Sequence, residues 1–284
     1  MTPGQALSLS SCASVATPLG RLHYRQAGAA AQATHVLLHG IGSAAASWAF
    51  QLAAAAGRED FRVLAWDAPG YGQSTHLQTA EPLAEDYARQ VWDWLDALGQ
   101  HRPVVLVGHS LGALMAASAA CLAPARVSGL VLLAPARGYG DAPPAERAKV
   151  LHKRLEGLRQ LGPEGMAQAR SAAMLAPGAD PALVEAVRES MARIDPAGYT
   201  QASHMLAQGR LQADVNRLQT EFTVASGELD DITPAAACAG VASASGRVWQ
   251  SLGPVGHACP LEAAEAVNAL LGLPRGSSHA QGAA

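Results

Sequence analysis

Charge is scarce in this 284-residue chain: Asp, Glu, Lys and Arg make up 15% of it, against 49% hydrophobic residues. The formal net charge is −3 and no basic run exceeds the Lys153-Arg154 pair. That leaves no electrostatic footprint for nucleic acid or an acidic surface. Long apolar runs are also missing, because charge, Gly or Pro interrupts each of them well short of the roughly 18 residues that a membrane span needs. The four cysteines, Cys12, Cys121, Cys238 and Cys259, form no CxxC pair and no zinc-finger spacing with histidine. They read as reduced thiols, not as a disulfide framework or metal ligands. Leu9-Ser10-Ser11-Cys12 superficially matches a lipoprotein cleavage site, but no Lys or Arg precedes it and the apolar run is short and serine-rich. The N-terminus therefore reads as a frayed start, and the chain as cytoplasmic.

What is present centres on Val104-Val105-Leu106-Val107-Gly108-His109-Ser110-Leu111-Gly112-Ala113. Val104 to Val107 suit a buried parallel strand, and Leu111 to Ala123 have the small apolar residues of a helix packed closely on a sheet. Gly108 and Gly112 leave room on both sides of a sharp strand-to-helix turn. Such a turn pushes the Ser110 hydroxyl outward, at the start of the following helix, where the Leu111 amide can face a developing oxyanion.

In chain order, Val15-Ala16-Thr17 and Arg21 to Arg25 read as a hairpin around Pro18-Leu19-Gly20. His35 to Leu38 reads as a short buried strand that leads into His39-Gly40-Ile41-Gly42-Ser43. Gly40-Ile41-Gly42-Ser43-Ala44-Ala45 also matches a dinucleotide fingerprint, with Glu59 and Asp60 about 20 residues on. Those acids, however, precede the next strand, Phe61 to Trp66, whereas a ribose-binding acid belongs at its end. The better reading is a strand-end loop whose amide at Ile41, or else Gly42, joins that of Leu111 in an oxyanion hole. His39 is then a loop-shaping residue that hydrogen-bonds backbone. Trp48 to Glu59 reads as a helix, and Asp67 to Ser74 as a restricted loop. From Glu85 to Leu98, the stripe Tyr87, Val91, Trp94, Leu95, Leu98 predicts a helix capped by Gly99. Val127 to Leu133 is another buried strand.

This alternation predicts an α/β fold: a mostly parallel sheet with helices on both faces. After Ala134-Pro135 it stops. Residues 136–219 show only helical patterning, broken at Pro143-Pro144, Gly162-Pro163, Pro177-Gly178 and Asp195-Pro196. They read as a helical lid inserted between core segments 1–135 and 220–274, with a flexible tail over 275–284. Leu151, Leu155 and Leu158 suggest an amphipathic piece, and Met166, Met174, Leu175, Met191 and Met205 are candidates for lining a pocket. The sheet resumes at Glu221 to Ser226, Pro234 opens a helix at its first position, Arg247 to Leu252 is a last strand, and Pro260 to Leu271 a closing helix.

Ser110, Asp230 and His257 follow in the chain order Ser, Asp, His that accompanies such an elbow, each just past the C-terminal end of a strand. Asp231 and Glu228 compete with Asp230. His204, in the insertion, and His109, which at the x position of the elbow points the wrong way, compete with His257.

Together, His39-Gly40, Asp67-Ala68-Pro69-Gly70-Tyr71-Gly72-Gln73-Ser74, the elbow, Gly227 to Pro234 and Gly256-His257 make the chain resemble the α/β-hydrolase family from His35 to Leu271. Within it, Asp195 to Tyr199 and Leu211 to Val215 are similar to the lid end of bacterial 3-oxoadipate enol-lactonases, although the His39-Gly40 pair and His109 depart from them. The resemblance implies a Ser-His-Asp triad acting on a small-molecule substrate, with no metal and no organic cofactor. It points first to hydrolysis of a small carboxylic ester or enol-lactone, including in aromatic-compound breakdown. The alternatives are a carbon-carbon bond or amide hydrolase acting on a ring-cleavage product, a cofactor-free haloperoxidase, and a slow-turnover small-molecule receptor on the same fold. A basic residue such as Arg137 or Lys149 facing the pocket would favour the first of these alternatives. A homo-oligomer is compatible with the sequence.

Overall fold

The computed structural model describes residues 1–274; the tail from Arg275, read above as flexible, lies outside the described residues. The chain begins with helix α1 (Pro3–Leu7), then the hairpin β1 (Ser11–Thr17) and β2 (Gly20–Ala27). Next come β3 (His35–Leu38), α2 (Ala49–Ala55), β4 (Val63–Trp66), α3 (Ala84–Ala97), β5 (Val104–His109), α4 (Leu111–Leu122) and β6 (Val127–Leu133). Four helices follow with no strand between them: α5 (Pro144–Arg170), α6 (Pro181–Ala192), α7 (Pro196–Gln208) and α8 (Leu211–Val215). Then come β7 (Phe222–Ser226), α9 (Ala235–Ala244), β8 (Trp249–Ser251), α10 (Cys259–Glu262) and α11 (Ala264–Leu270).

The strands form one eight-stranded sheet in the order β1-β2-β4-β3-β5-β6-β7-β8. Strand β2 is antiparallel to both of its neighbours, and β3 to β8 run parallel to one another. The chain lays β4 on one side of β3 and then returns to lay β5 on the other. The order therefore switches at β3, and the loops after β3 and β5 open side by side at the C-terminal edge, where open α/β sheets build their sites.

Strand alternation divides the core into two layers. Val36, Leu38, Leu64, Trp66 and Leu106 face one layer with Val91, Trp94 and the alanines of α4. Leu37, Val63, Ala65 and Val107 face the other with Trp48, Leu52 and Val267. Covered on both faces, the central strands read as unbroken apolar runs. The stripe Tyr87, Val91, Trp94, Leu95 is buried as its spacing requires, and Gly99 ends α3 at φ 65°.

Several boundaries differ from expectation, each for a local reason. The helix expected to reach Glu59 ends at Ala55, because Ala56 is extended at ψ 134° and Gly57 turns at φ 71°. The closing helix breaks at Ala263 (φ −112°, ψ 41°). Pro234 sits one position before the first turn of α9 instead of within it. The strand expected over Arg247 to Leu252 is confined to Trp249–Ser251. Within α5, Gly162 adopts φ 61° just before Pro163 and kinks the helix where the sequence breaks. Leu151, Leu155 and Leu158 are only half-buried.

The N-terminus is a correction. Thr2 caps α1, its hydroxyl accepting the Gln5 N–H while the Gln5 side chain accepts the Thr2 N–H. Ala6, fully buried, packs in a cluster with Ala49, Leu175, Val187 and Leu261. A capped helix with an apolar anchor does not fray; five residues are too few to show helical periodicity in the sequence. No helix among the described residues is long and apolar enough to cross a membrane, and the four cysteines are free thiols.

Candidate active site

The turn from β5 into α4 exists because two residues lack a side chain. A Cβ on Gly108 would lie 2.4 Å from Gly112 O, and one on Gly112 would lie 2.2 Å from Leu38 O. With both absent, α4 starts directly against the ends of β3 and β5. Between them Ser110 adopts φ 54°, ψ −115°, one of two non-glycine residues with positive φ among the described residues. A serine at such angles stores about 1–3 kcal/mol of strain, which the surrounding packing must sustain. Leu111, as the first residue of α4, has an N–H with no acceptor inside the helix.

The loop after β3 brings a second amide to the same place. His39 is fully buried; its Nε2 accepts the Ala68 N–H at 3.0 Å, so the proton is on Nδ1, which donates to Gly40 O at 2.8 Å. Burial lowers the His39 pKa, outweighing its Gly40 hydrogen bond and the nearby Asp67 charge, and keeps the ring in this neutral tautomer. Ser43 N–H also reaches Gly40 O at 3.2 Å. In a trans peptide C=O and N–H point in opposite directions, so anchoring the Gly40 carbonyl turns the Ile41 N–H the other way. Gly40 is the face toward the nucleophile: a Cβ there would come within 3.1 Å of Ser110 Cβ. A Cβ on Gly42 would instead meet the Met191 methyl at 3.2 Å. Tyr71 Oη donates to Ile41 O at 2.9 Å and holds the far side of the loop.

Opposite this loop, His257 Nε2 lies 2.9 Å from Ser110 Oγ, and His257 Nδ1 lies 2.8 Å from Asp230 Oδ2. The loop after β7 shapes itself around Asp230, whose Oδ1 accepts the N–H groups of Ile232 (2.7 Å) and Thr233 (2.9 Å). The Thr233 hydroxyl lies 2.7 Å from Asp230 Oδ2 and 3.0 Å from Ala134 O. Burial raises the Asp230 pKa, but His257 and Thr233 more than offset it, and the carboxyl ends below its usual range. Asp231 and Glu228 are exposed, with Glu228 accepting from Ser251 Oγ. His204 faces Glu81 at 3.8 Å. The structure thus brings Ser110, Asp230, His257 and the loops carrying Ile41 and Leu111 together, and leaves Asp231, Glu228 and His204 elsewhere.

His109 is a further correction. It does not point away from the site: its Nε2 is 2.8 Å from His257 O and the two rings lie 5.0 Å apart. It holds the loop bearing His257 instead of competing with it. Burial, then the neighbouring His257, pushes its pKa down to about 3. Nε2 must donate to the carbonyl, and Nδ1 is buried without a partner among the described residues. The unfolded chain protonates this histidine near its ordinary pKa of about 6.5. Between those two values the unfolded state binds more protons, so folding stability falls as pH drops from about 6.5 toward 3, by up to about 1.4 kcal/mol per unit. His109→Gln, which keeps a donor but does not titrate, is expected to flatten this acid slope; denaturant midpoints at neutral and mildly acidic pH check it.

No local pattern in the sequence marks the support from Glu262. Its carboxylate accepts the N–H groups of Gly256 (2.8 Å) and Ala176 (3.0 Å), tying the loop before His257 to the helical insertion. Thr233, three residues after Asp230, is readable as an Asx-type turn partner.

Ser110 and His257 open into a cavity of about 320 Å³. Met166, Met174 and Met191 line it, whereas Leu175 and Met205 are packed in the core instead. Pro3, Gly4 and Leu7 of α1 form part of its wall.

A family model described as "Alpha/beta hydrolase family" matches residues 36–270. A Variovorax paradoxus protein that carries the name carbamate hydrolase RutD is 36% identical over 149 residues, 52% of this chain and 54% of that protein. A 2-hydroxy-6-oxononadienedioate/2-hydroxy-6-oxononatrienedioate hydrolase of Paraburkholderia phymatum is 37% identical over 128 residues, 44% of this chain and 42% of that protein. The matched stretches span about half the length of these curated relatives. Among solved structures, the enol-lactonase of Burkholderia xenovorans LB400 superimposes with a TM-score of 0.79 at 24% identity, covering 91% of this chain and 98% of that one. At that identity the likeness speaks for the fold alone. With the family model spanning β3 to α11 over the parallel sheet and strand-to-helix elbow described above, the chain belongs to the α/β-hydrolase family.

Proposed function

We propose that the chain is a serine hydrolase that cleaves a small carboxylic ester or enol-lactone through an acyl-enzyme. The observation that carries this reading is the unbroken relay Ser110 Oγ, His257, Asp230 at 2.9 and 2.8 Å, buried at one end of the cavity. In this scheme His257 Nε2 takes the Ser110 proton as Oγ attacks the substrate carbonyl carbon. Asp230 holds the proton-bearing Nδ1 and stabilises the imidazolium. The N–H groups of Ile41 and Leu111 hold the oxyanion, each donor contributing about 10²- to 10³-fold in rate. His257 then gives its proton to the leaving alkoxide, and water repeats the sequence to release the acid. Residues 136–219 act as the lid that shapes the acyl and leaving-group sites.

A second reading, hydrolysis of a carbon-carbon or amide bond in a ring-cleavage product, gains support from Arg137, which lines the cavity while Lys149 does not. The names of the carbamate and oxononadienedioate hydrolases above point the same way.

The test is incubation with a serine-directed phosphonate, a short-chain aryl ester and an enol-lactone, followed by peptide mass spectrometry. Labelling confined to the Ser110 peptide together with turnover of either substrate is the expected result. Labelling without turnover of either shifts the assignment to the receptor or the ring-cleavage product. An unlabelled Ser110 and no turnover overturn the nucleophile assignment.

A further inference from the structure

The cavity wall carries four arginines, Arg137, Arg154, Arg170 and Arg193, and a single carboxylate, Glu189. That is a surplus of three positive charges on a chain whose formal net charge is −3. Within the same helical insertion Arg159, Arg188, Arg193 and Arg210 each pair with a carboxylate. Arg193 takes Glu189, at 3.5 Å, and so removes the cavity's one anion. Arg154 and Arg170, both half-buried on α5, have no carboxylate within 4.0 Å among the described residues. Arg154 donates one long hydrogen bond, Nη1 to Tyr199 Oη at 3.4 Å. A guanidinium carries five N–H donors, so most of those on Arg154 are left for something else. Arg137, an exposed residue of the lining, has no carboxylate within 4.0 Å among the described residues either.

Half-burying a cation beside methionine and isoleucine side chains costs hydration that no fixed counter-ion returns. A ligand that supplies the counter-charge recovers it. A carboxylate fits this wall best, because its two coplanar oxygens match the edge of a guanidinium fork. The remaining lining mixes apolar side chains, among them Met166, Met174, Met191 and Ile194, with uncharged polar ones such as Ser43, Ser47 and Ser190.

We propose that the cavity is a site for an anionic substrate: an ester or lactone bearing a second, ionised carboxylate several bonds from the scissile carbonyl, received by Arg154 and Arg170 with Arg137 at the entrance. This rests on the serine-hydrolase reading for the reaction, but not for binding, because the arginines would hold a dicarboxylate whether or not Ser110 is acylated. The like-signed cluster also draws an anion toward the mouth by its field, an effect that salt screens.

The test compares substrates matched in length. Para-nitrophenyl hydrogen adipate against para-nitrophenyl hexanoate places the charge on the acyl side; para-acetoxybenzoate against para-tolyl acetate places it on the leaving side. The expected result is a kcat/KM preference of about 10- to 100-fold for the charged member of at least one pair, the size of one or two hydrogen bonds to a charged group. That preference shrinks at high ionic strength and collapses in Arg154→Gln, Arg170→Gln or the double variant. Lys149→Gln, exposed and away from the cavity, keeps the ratio. Calorimetric titration of the wild-type protein with adipate and with hexane-1,6-diol reads binding without any reaction, with adipate expected to bind and the diol not.

If no ester turns over but adipate binds and the arginine variants lose it, the hydrolase reading fails and the anion site stands. If esters turn over with no preference in either pair, or with one that both arginine variants retain, the anion site is overturned and the hydrolase reading stands. Equal titration by adipate and diol overturns it as well.

Discussion

Ser110→Ala is expected to eliminate ester turnover, by about 10⁴- to 10⁶-fold, with the fold intact. The substitution removes one atom. Ser110 Oγ has His257 Nε2 as its hydrogen-bond partner, and the backbone bonds that hold the turn, Ser110 N–H to Leu133 O at 2.9 Å and Ala113 and Ala136 N–H to Ser110 O at 3.1 Å each, do not involve the side chain. Alanine inherits the same φ of 54° and the same strain. The stability change is therefore bounded by one hydrogen bond, about 1 kcal/mol, and a denaturant midpoint reads it. Because Ser110, His257 and Asp230 act as one unit, Ser110→Ala combined with His257→Ala and Asp230→Ala is expected to be scarcely slower than Ser110→Ala alone. Steady-state hydrolysis of an aryl ester checks both statements. A single variant that keeps the wild-type rate would mean that the 2.9 Å contact has no part in catalysis.

The parts of this arrangement that can be read in the sequence are those carried by small, local signals. Val104 to Val107 is legible because a strand covered on both faces needs apolar residues without alternation, and Tyr87 to Leu95 because a helix with one covered face repeats every three to four residues. Gly108 and Gly112 mark the elbow because a close backbone approach leaves a glycine behind. Asp230 and His257 are legible by their place after strands, although sequence alone leaves Asp231 and Glu228 in contention. What separates Asp230 from them is the turn that Ile232 and Thr233 N–H build on its Oδ1 and its burial against His257, which arrives from the loop after β8, 27 residues on. His109 escapes a sequence reading for the same kind of reason: its partner is the backbone of His257, 148 residues away, and no spacing rule encodes that contact. The pocket wall is the least legible part. Met166 and Met205 have the same chemistry and both lie on helices of the insertion, yet one lines the cavity and the other is sealed in the core. Only the way α5, α6 and α7 pack on one another over the cavity distinguishes them.

Gly112→Ala is expected to have a large structural effect for a single added methyl. Its new Cβ would sit 2.2 Å from Leu38 O, 2.7 Å from Leu38 C and 2.8 Å from His39 O, all of them backbone atoms at the end of β3. No rotamer change relieves such a clash, so the first turn of α4 and the strand end must move apart, and overpacking of this kind costs typically about 1–3 kcal/mol and sometimes more. Three close backbone atoms, none of which can rotate away, place the cost at or above the upper end. The functional cost is separate. The loop that leaves β3 carries the Ile41 amide and the first turn of α4 carries the Leu111 amide, so a methyl wedged between them parts the two donors. A misplacement of about 1 Å at a reacting centre costs on the order of 10²-fold in rate. The expected outcome is a variant that fails to fold or, if folded, is less stable by several kcal/mol in denaturant titration and turns over an aryl ester at least about 10²-fold more slowly. Gly240→Ala provides the contrast. Gly240 lies inside α9, and nothing stands within 4 Å of where its Cβ would go. Alanine there is expected to stabilise the protein by about 0.5–1 kcal/mol through helix propensity alone, with an unchanged rate. Equal behaviour of the two variants would show that the close approach of α4 to β3 does not control the site, and the clash with Leu38 O would no longer account for the need for glycine at position 112.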